Sequence, residues 1–102
     1  MTESREAKLL AAAASGNLAL LETLLPAAGD LTPFDGPEGV TPLMVAASAG
    51  HHAAVELLLE RGANPSRRDA QGRSASEYAR RAGHPHLAAR LDGVVDQEQT
   101  IW

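Results

Sequence analysis

The chain has 102 residues, 44% of them hydrophobic, and alanine (20) with leucine (14) makes up a third of it; that length fits one domain, with a thin core of small aliphatic side chains. There is no cysteine, and Phe34, Tyr78 and Trp102 are the only aromatics, which excludes disulfide frameworks and thiolate metal sites and argues against a stacking platform for single-stranded nucleic acid. The net charge of −4 is unevenly spread: residues 1–60 carry two basic against eight acidic side chains, 61–90 seven against two, and 91–102 three acidic ones alone.

A first helix is expected near 4–15, with Glu3 and Glu6 at its start, where the helix dipole favours negative charge. A second, near 18–27, places Leu21, Leu24 and Leu25 at i, i+3 and i+4. Thr41 before Pro42 is the order of an N-cap followed by proline at the first helical position. The helix it opens, near 42–50, carries the apolar stripe Leu43, Ala46, Ala47 and stops at Gly50. The next, near 52–61, repeats the stripe with Val55, Leu58 and Leu59 and ends at Gly62. Helices near 75–82 and 85–92 complete the set.

These segments repeat. Gly39-Val40-Thr41 through Ala46 to Gly50-His51 aligns with Gly72-Arg73-Ser74 through Ala79 to Gly83-His84 at a spacing of 33, which Leu58 and Leu91 keep. Upstream, Ala12-Ala13-Ala14-Ser15-Gly16 matches Ala46 to Gly50 at a spacing of 34, as Leu21, Leu24 and Leu25 match Val55, Leu58 and Leu59. Each unit reads as a short helix pair whose apolar faces cannot be buried alone, and the alanines let neighbouring helices approach closely.

Gly39-x-Thr41-Pro42-Leu43-x-x-Ala46-Ala47-x-x-Gly50-His51-x-x-x-Val55-x-Leu57-Leu58-Leu59-x-x-Gly62-Ala63 resembles a full unit of the ankyrin-repeat family, departing at Met44, where that family usually has histidine. The flanking units resemble the family's caps. The resemblance implies an all-α solenoid of three stacked helix-turn-helix units joined by β-turn loops, over residues 1–93 with units of about 1–35, 36–68 and 69–93, followed by a tail at 94–102. It also implies non-catalytic protein binding through turn tips and first helices, on a surface formed by Glu38, Val40, Met44, Ser48, Gln71, Arg73, Glu77 and Arg81. Arg80, Arg90 and Asp92, in register with Ala47, Leu57 and Leu59, fit the polar outer face that a terminal repeat needs.

The arginines Arg67, Arg68, Arg73, Arg80 and Arg81 read either as a solvated cap surface or as a basic patch for an acidic protein segment, since arginine clusters take carboxylates and phosphates through bidentate contacts. Nucleic acid is the weaker form of that reading, because the overall charge is negative and no aromatics interleave. His51, His52, His84 and His86 fall in two pairs one repeat apart, but they lack the third-ligand spacing of a zinc site, so no metal or other cofactor is expected and a His-dependent metal-binding protein stands as the lesser alternative; His51 and His84 are expected to hydrogen-bond neighbouring loop backbone. Phosphate-loop, nucleophile-elbow and metalloprotease motifs are missing, and no catalysis is expected. No apolar run approaches the roughly 20 residues of a membrane span, and Met1-Thr2-Glu3-Ser4-Arg5-Glu6 does not read as a secretory signal, so a cytoplasmic location away from membranes is expected. Eight arginines against one lysine point to a GC-rich, bacterial gene. The opposed charge poles allow a monomer or a weak homodimer. In the tail, Val94 and Val95, and with them Trp102, are expected to fold back over the last helix, the alternative being that Ile101-Trp102 is offered to a partner.

Overall fold

The computed structural model of the chain describes residues 5–25 and 37–99. Within them, six α-helices run in chain order: α1 (Arg5–Ser15), α2 (Leu18–Leu24), α3 (Pro42–Ala49), α4 (His52–Glu60), α5 (Ala75–Arg81) and α6 (Pro85–Gln99). They form three stacked helix pairs. The first helices α1, α3 and α5 pack side by side as an inner layer with α3 in the middle, and α2, α4 and α6 back them as an outer layer.

Local chemistry sets the ends of α3. Thr41 is extended (φ −96°, ψ 160°), and its Oγ1 accepts the Met44 N–H at 3.1 Å, while its own N–H is directed at Met44 Sδ, 3.3 Å away. At the other end Gly50 lies in the left-handed region (φ 77°), the position where glycine carries no Cβ penalty. The sequence expectation of 18–27 for α2 overruns: the helix stops at Leu24 and Leu25 is already extended (φ −77°, ψ 142°). Pro26 is the reason, because a proline ring crowds the residue before it out of the helical region.

The C-terminal helix corrects the expectation in the other direction. α6 continues through Gly93 to Gln99, so residues 94–99 extend the last helix instead of folding back over it; no proline interrupts that stretch. Trp102 and Ile101 lie outside the described residues.

Leucine and alanine supply almost the whole core. The stripes Leu43, Ala46, Ala47 and Val55, Leu58 are fully enclosed, as are Leu9, Leu21, Leu87 and Leu91 from the flanking units. Small side chains on α3 and α5 allow the inner helices to lie close, and the outer leucines close the seam behind them. Ion pairs cross the outer layer between units: Arg90 holds Glu56 through Nε and Nη2, at 2.8 and 2.9 Å, and Arg61 lies 3.9 Å from Glu22. The Arg90–Glu56 pair is solvent-facing and Arg61 reaches an exposed Glu22, so each contributes at most about 1 kcal/mol.

Candidate functional site

The turn tips between units meet in one strip. The first tip is a single 3₁₀ turn, Pro37–Gly39, in which Glu38 takes a left-handed conformation (φ 60°, ψ 25°). The second, Asp69 to Gly72, is closed by Gly72 N–H donating to the Asp69 carbonyl at 2.9 Å and Asp69 N–H donating to the Arg73 carbonyl at 3.0 Å. Ala70 N–H then donates to the Glu38 carbonyl at 2.8 Å, joining the two tips backbone to backbone.

Asp69 organises the second tip. Its side chain is only 3% exposed, and Oδ1 accepts the N–H groups of Gln71 and Arg73, both at 2.9 Å. Oδ2 accepts the Tyr78 hydroxyl. The Arg73 guanidinium lies over the Tyr78 ring, 5.4 Å from its centroid, with Nε 3.5 Å from Asp69 Oδ2. The Tyr78 hydrogen bond, followed by the Arg73 N–H, holds the Asp69 carboxyl below its ordinary value, against an opposing effect of burial. Burial first, and then the hydrogen bond to the Asp69 carboxylate, raises the Tyr78 phenol above its own.

The linkage runs in opposite directions for the two groups. Asp69, lowered in the folded state, adds stability that is present above pH 3.8 and lost as pH falls through the folded value. Tyr78, raised in the folded state, adds stability that is present below pH 10.0 and lost as pH rises through its folded value. Denaturant titrations across pH are therefore expected to show no change from this pair between those limits, and the Asp69→Asn variant should show a shallower acid decline than the unaltered chain.

The residues expected to form a docking surface divide. Glu38, Ser48, Gln71 and Arg81 are exposed, and Val40, Arg73 and Glu77 are half-buried. Met44 does not belong with them: it is fully buried, with Sδ turned to the Thr41 N–H. α3 is flanked by α1 and α5 and backed by α4, so its enclosed surface is wider than the stripe through Leu43, Ala46 and Ala47 and takes in the next position. The structure gathers Glu38, Gln71 and Arg73 at the tips and sets Glu77 and Arg81 on α5, 3.3 Å apart. Asp69 and Tyr78 are not among the residues expected from the sequence. Their signals there are an acid inside the arginine run and a tyrosine in register with Val45.

The basic segment is largely balanced from within. Arg80 pairs with Asp92 at 2.8 Å and with Glu77 at 3.7 Å, Arg81 with Glu77 and Arg90 with Glu56. A polar recess of about 370 Å³ at the third unit, between Ser66, Ser74, Ser76 and Asp92, includes that paired Arg80. Two of the four histidines, His51 and His84, lie against the preceding unit, while His52 and His86 are exposed. His51 Nε2 lies 3.0 Å from the Ala14 carbonyl in the last turn of α1 and its ring covers Gly16, and His84 covers Gly50 in the same way one unit later. Among the described residues, no three His, Asp or Glu side chains are placed to hold a metal ion, and no helix is long and apolar enough to cross a membrane.

The family model described as ankyrin repeats (3 copies) matches residues 9–93. Human ARF GTPase-activating protein GIT1 is 44% identical over 77 residues, 76% of this chain and 10% of that protein, and mouse GIT2 is 40% identical over 77 residues, 76% of this chain and 11% of that protein. The potassium channel AKT2/3 of Arabidopsis thaliana is 46% identical over 68 residues, 66% of this chain and 8% of that protein. The chain thus spans about a tenth of the length of the curated relatives it matches. With three helix pairs in register and a family match over nearly all of them, the chain belongs to the ankyrin-repeat family.

Proposed function

We propose that this chain is a non-catalytic protein-binding module whose docking face is formed by Glu38, Val40, Ser48, Gln71, Arg73, Glu77 and Arg81, and whose partner presents an acidic segment to Arg73 and Arg81. Ankyrin repeats are generally protein–protein interaction modules. The observation that carries the reading is the hydrogen bond from Ala70 N–H to the Glu38 carbonyl. It makes two turn tips into one continuous strip beside the inner helices, so a partner meets a surface that needs little further ordering. The internal pairing of Arg80, Arg81 and Arg90 leaves less uncommitted charge for a nucleic-acid backbone, and the Arg81–Glu77 pair is a solvent-facing contact within α5 that a partner's carboxylate can replace.

Capture from native lysate, with bound proteins identified by mass spectrometry, tests the reading when the unaltered chain is compared with the double variant Arg73→Glu, Arg81→Glu. The captured partner is expected to be lost by on the order of 100-fold, since like charges set against each other cost several kcal/mol. Undiminished capture contradicts the reading.

A further inference from the structure

The two ends of the stack are finished differently. In the first unit Leu20 is exposed and Leu24 half-buried, whereas their counterparts in register, Ala54 and Leu58 in the second unit and Leu87 and Leu91 in the third, are fully enclosed. Lys8 is exposed where Pro42 and Ala75 are buried, and Ala11 is exposed where Val45 and Tyr78 are half-buried. The third helix pair has no further pair stacked after it among the described residues, yet it encloses these positions as fully as the second does, so what covers them is the unit before. They mark the face on which one helix pair receives its predecessor, and in the first unit that face is open. The two large exposed hydrophobic side chains among the described residues, Leu18 and Leu20, are both on α2.

The opposite end is closed by charge. Ala13 and Ala47 are fully enclosed, but in the same register Arg80 is exposed and paired with Asp92, which itself stands where Leu25 is buried. Such a polar outer face stops further stacking. The open face of the first unit has only Lys8 among its four marked positions, and a lysine stem can lie along apolar surface with its ammonium at the rim.

We infer that the open face of the first unit pairs with the same face of a second copy of this chain. It continues a packing interface that the molecule already makes twice, with leucine and alanine at the same register. Charge separates the ways in which two copies could meet. Head to tail, Leu20 and Leu24 would lie against Arg80 and Asp92 and strip water from an ion pair. Tail to tail, two charged ends would be desolvated together. First unit on first unit sets apolar surface on apolar surface, and because both copies use one patch the contact closes at two. With α1 roughly 16 Å long and α2 shorter, the area covered falls below the roughly 1,200 Å² of a stable complex, so the dimer is weak, with a dissociation constant on the order of 100 µM. The residues proposed for docking lie in the second and third units, and pairing through the first leaves both sets open.

Sedimentation equilibrium of the full chain between about 10 µM and 1 mM tests this. The mass is expected to rise toward two copies and no further, and to do so equally well in high salt, since the contact is apolar. Leu20→Glu and Ala11→Arg, each at an exposed position and each checked for unchanged circular dichroism, should raise the dissociation constant at least about tenfold. Arg80→Ala, at the other end, should leave it within about twofold. A chain that stays single at 1 mM, or whose mass grows past two copies, overturns the inference. So does a dimer that is lost in high salt or in Arg80→Ala, which is the mark of pairing through the charged end, or one that survives both substitutions on the first unit.

Discussion

Leu58→Ala is expected to lower the unfolding free energy by about 3–5 kcal/mol, measured by denaturant titration followed by circular dichroism. Leu58 is fully enclosed and sits in the middle unit, where α4 packs against both α2 and α3. Removing it takes apolar surface from the seam and leaves a cavity that two backed helices cannot easily close. A domain of this size is commonly stable by about 5–15 kcal/mol, so one such substitution removes a large share of the total. The contrast is Leu20, 38% exposed on α2, whose replacement by alanine should cost under about 1 kcal/mol. Equal effects at the two positions would contradict the packing described here.

The second large effect falls on a glycine. Gly50→Ala is expected to cost about 2–4 kcal/mol in the same titration, from two separable causes. Its φ of 77° is left-handed, which costs a residue with a Cβ roughly 1–2 kcal/mol. In addition, a Cβ there would lie 2.6 Å from Cε1 of His84, so the imidazole of the next unit must move. Gly83 separates the causes, having a similar φ of 88° with nothing within 4 Å of the place a Cβ would take. Gly83→Ala should therefore show the backbone cost alone, about 1–2 kcal/mol. If Gly50→Ala costs no more than Gly83→Ala, the histidine contact is not part of what holds the units together.

Much of this architecture is legible in the residues because repetition prints the same pattern more than once. Leu43, Ala46 and Ala47 mark one buried stripe, and Val55 and Leu58 of the other are in the core, while Leu59, the third residue of that stripe, is only partly buried. The helix ends are less visible where two local rules compete: the leucines of α2 argue for continuing and Pro26 for stopping, and the steric rule prevails at Leu25. Met44 escapes a stripe argument because burial of α3 comes from three neighbouring helices, not from one face. Counting charge along the chain shows a basic segment, but the count has no distances in it. Glu56 and Arg90 are 34 positions apart and meet across one repeat. Likewise, nothing local to Asp69 announces that a hydroxyl nine residues on will occupy its second oxygen.

Docking of a partner on the strip made by the two turn tips and the inner helices is tested most directly by NMR, with backbone amide shifts recorded while the captured partner is titrated into isotope-labelled chain. The largest changes are predicted at Glu38, Val40, Ser48, Gln71, Arg73, Glu77 and Arg81, with α4 and α6 little affected. Changes concentrated on the outer surfaces of α4 and α6, with the tips unmoved, would contradict it.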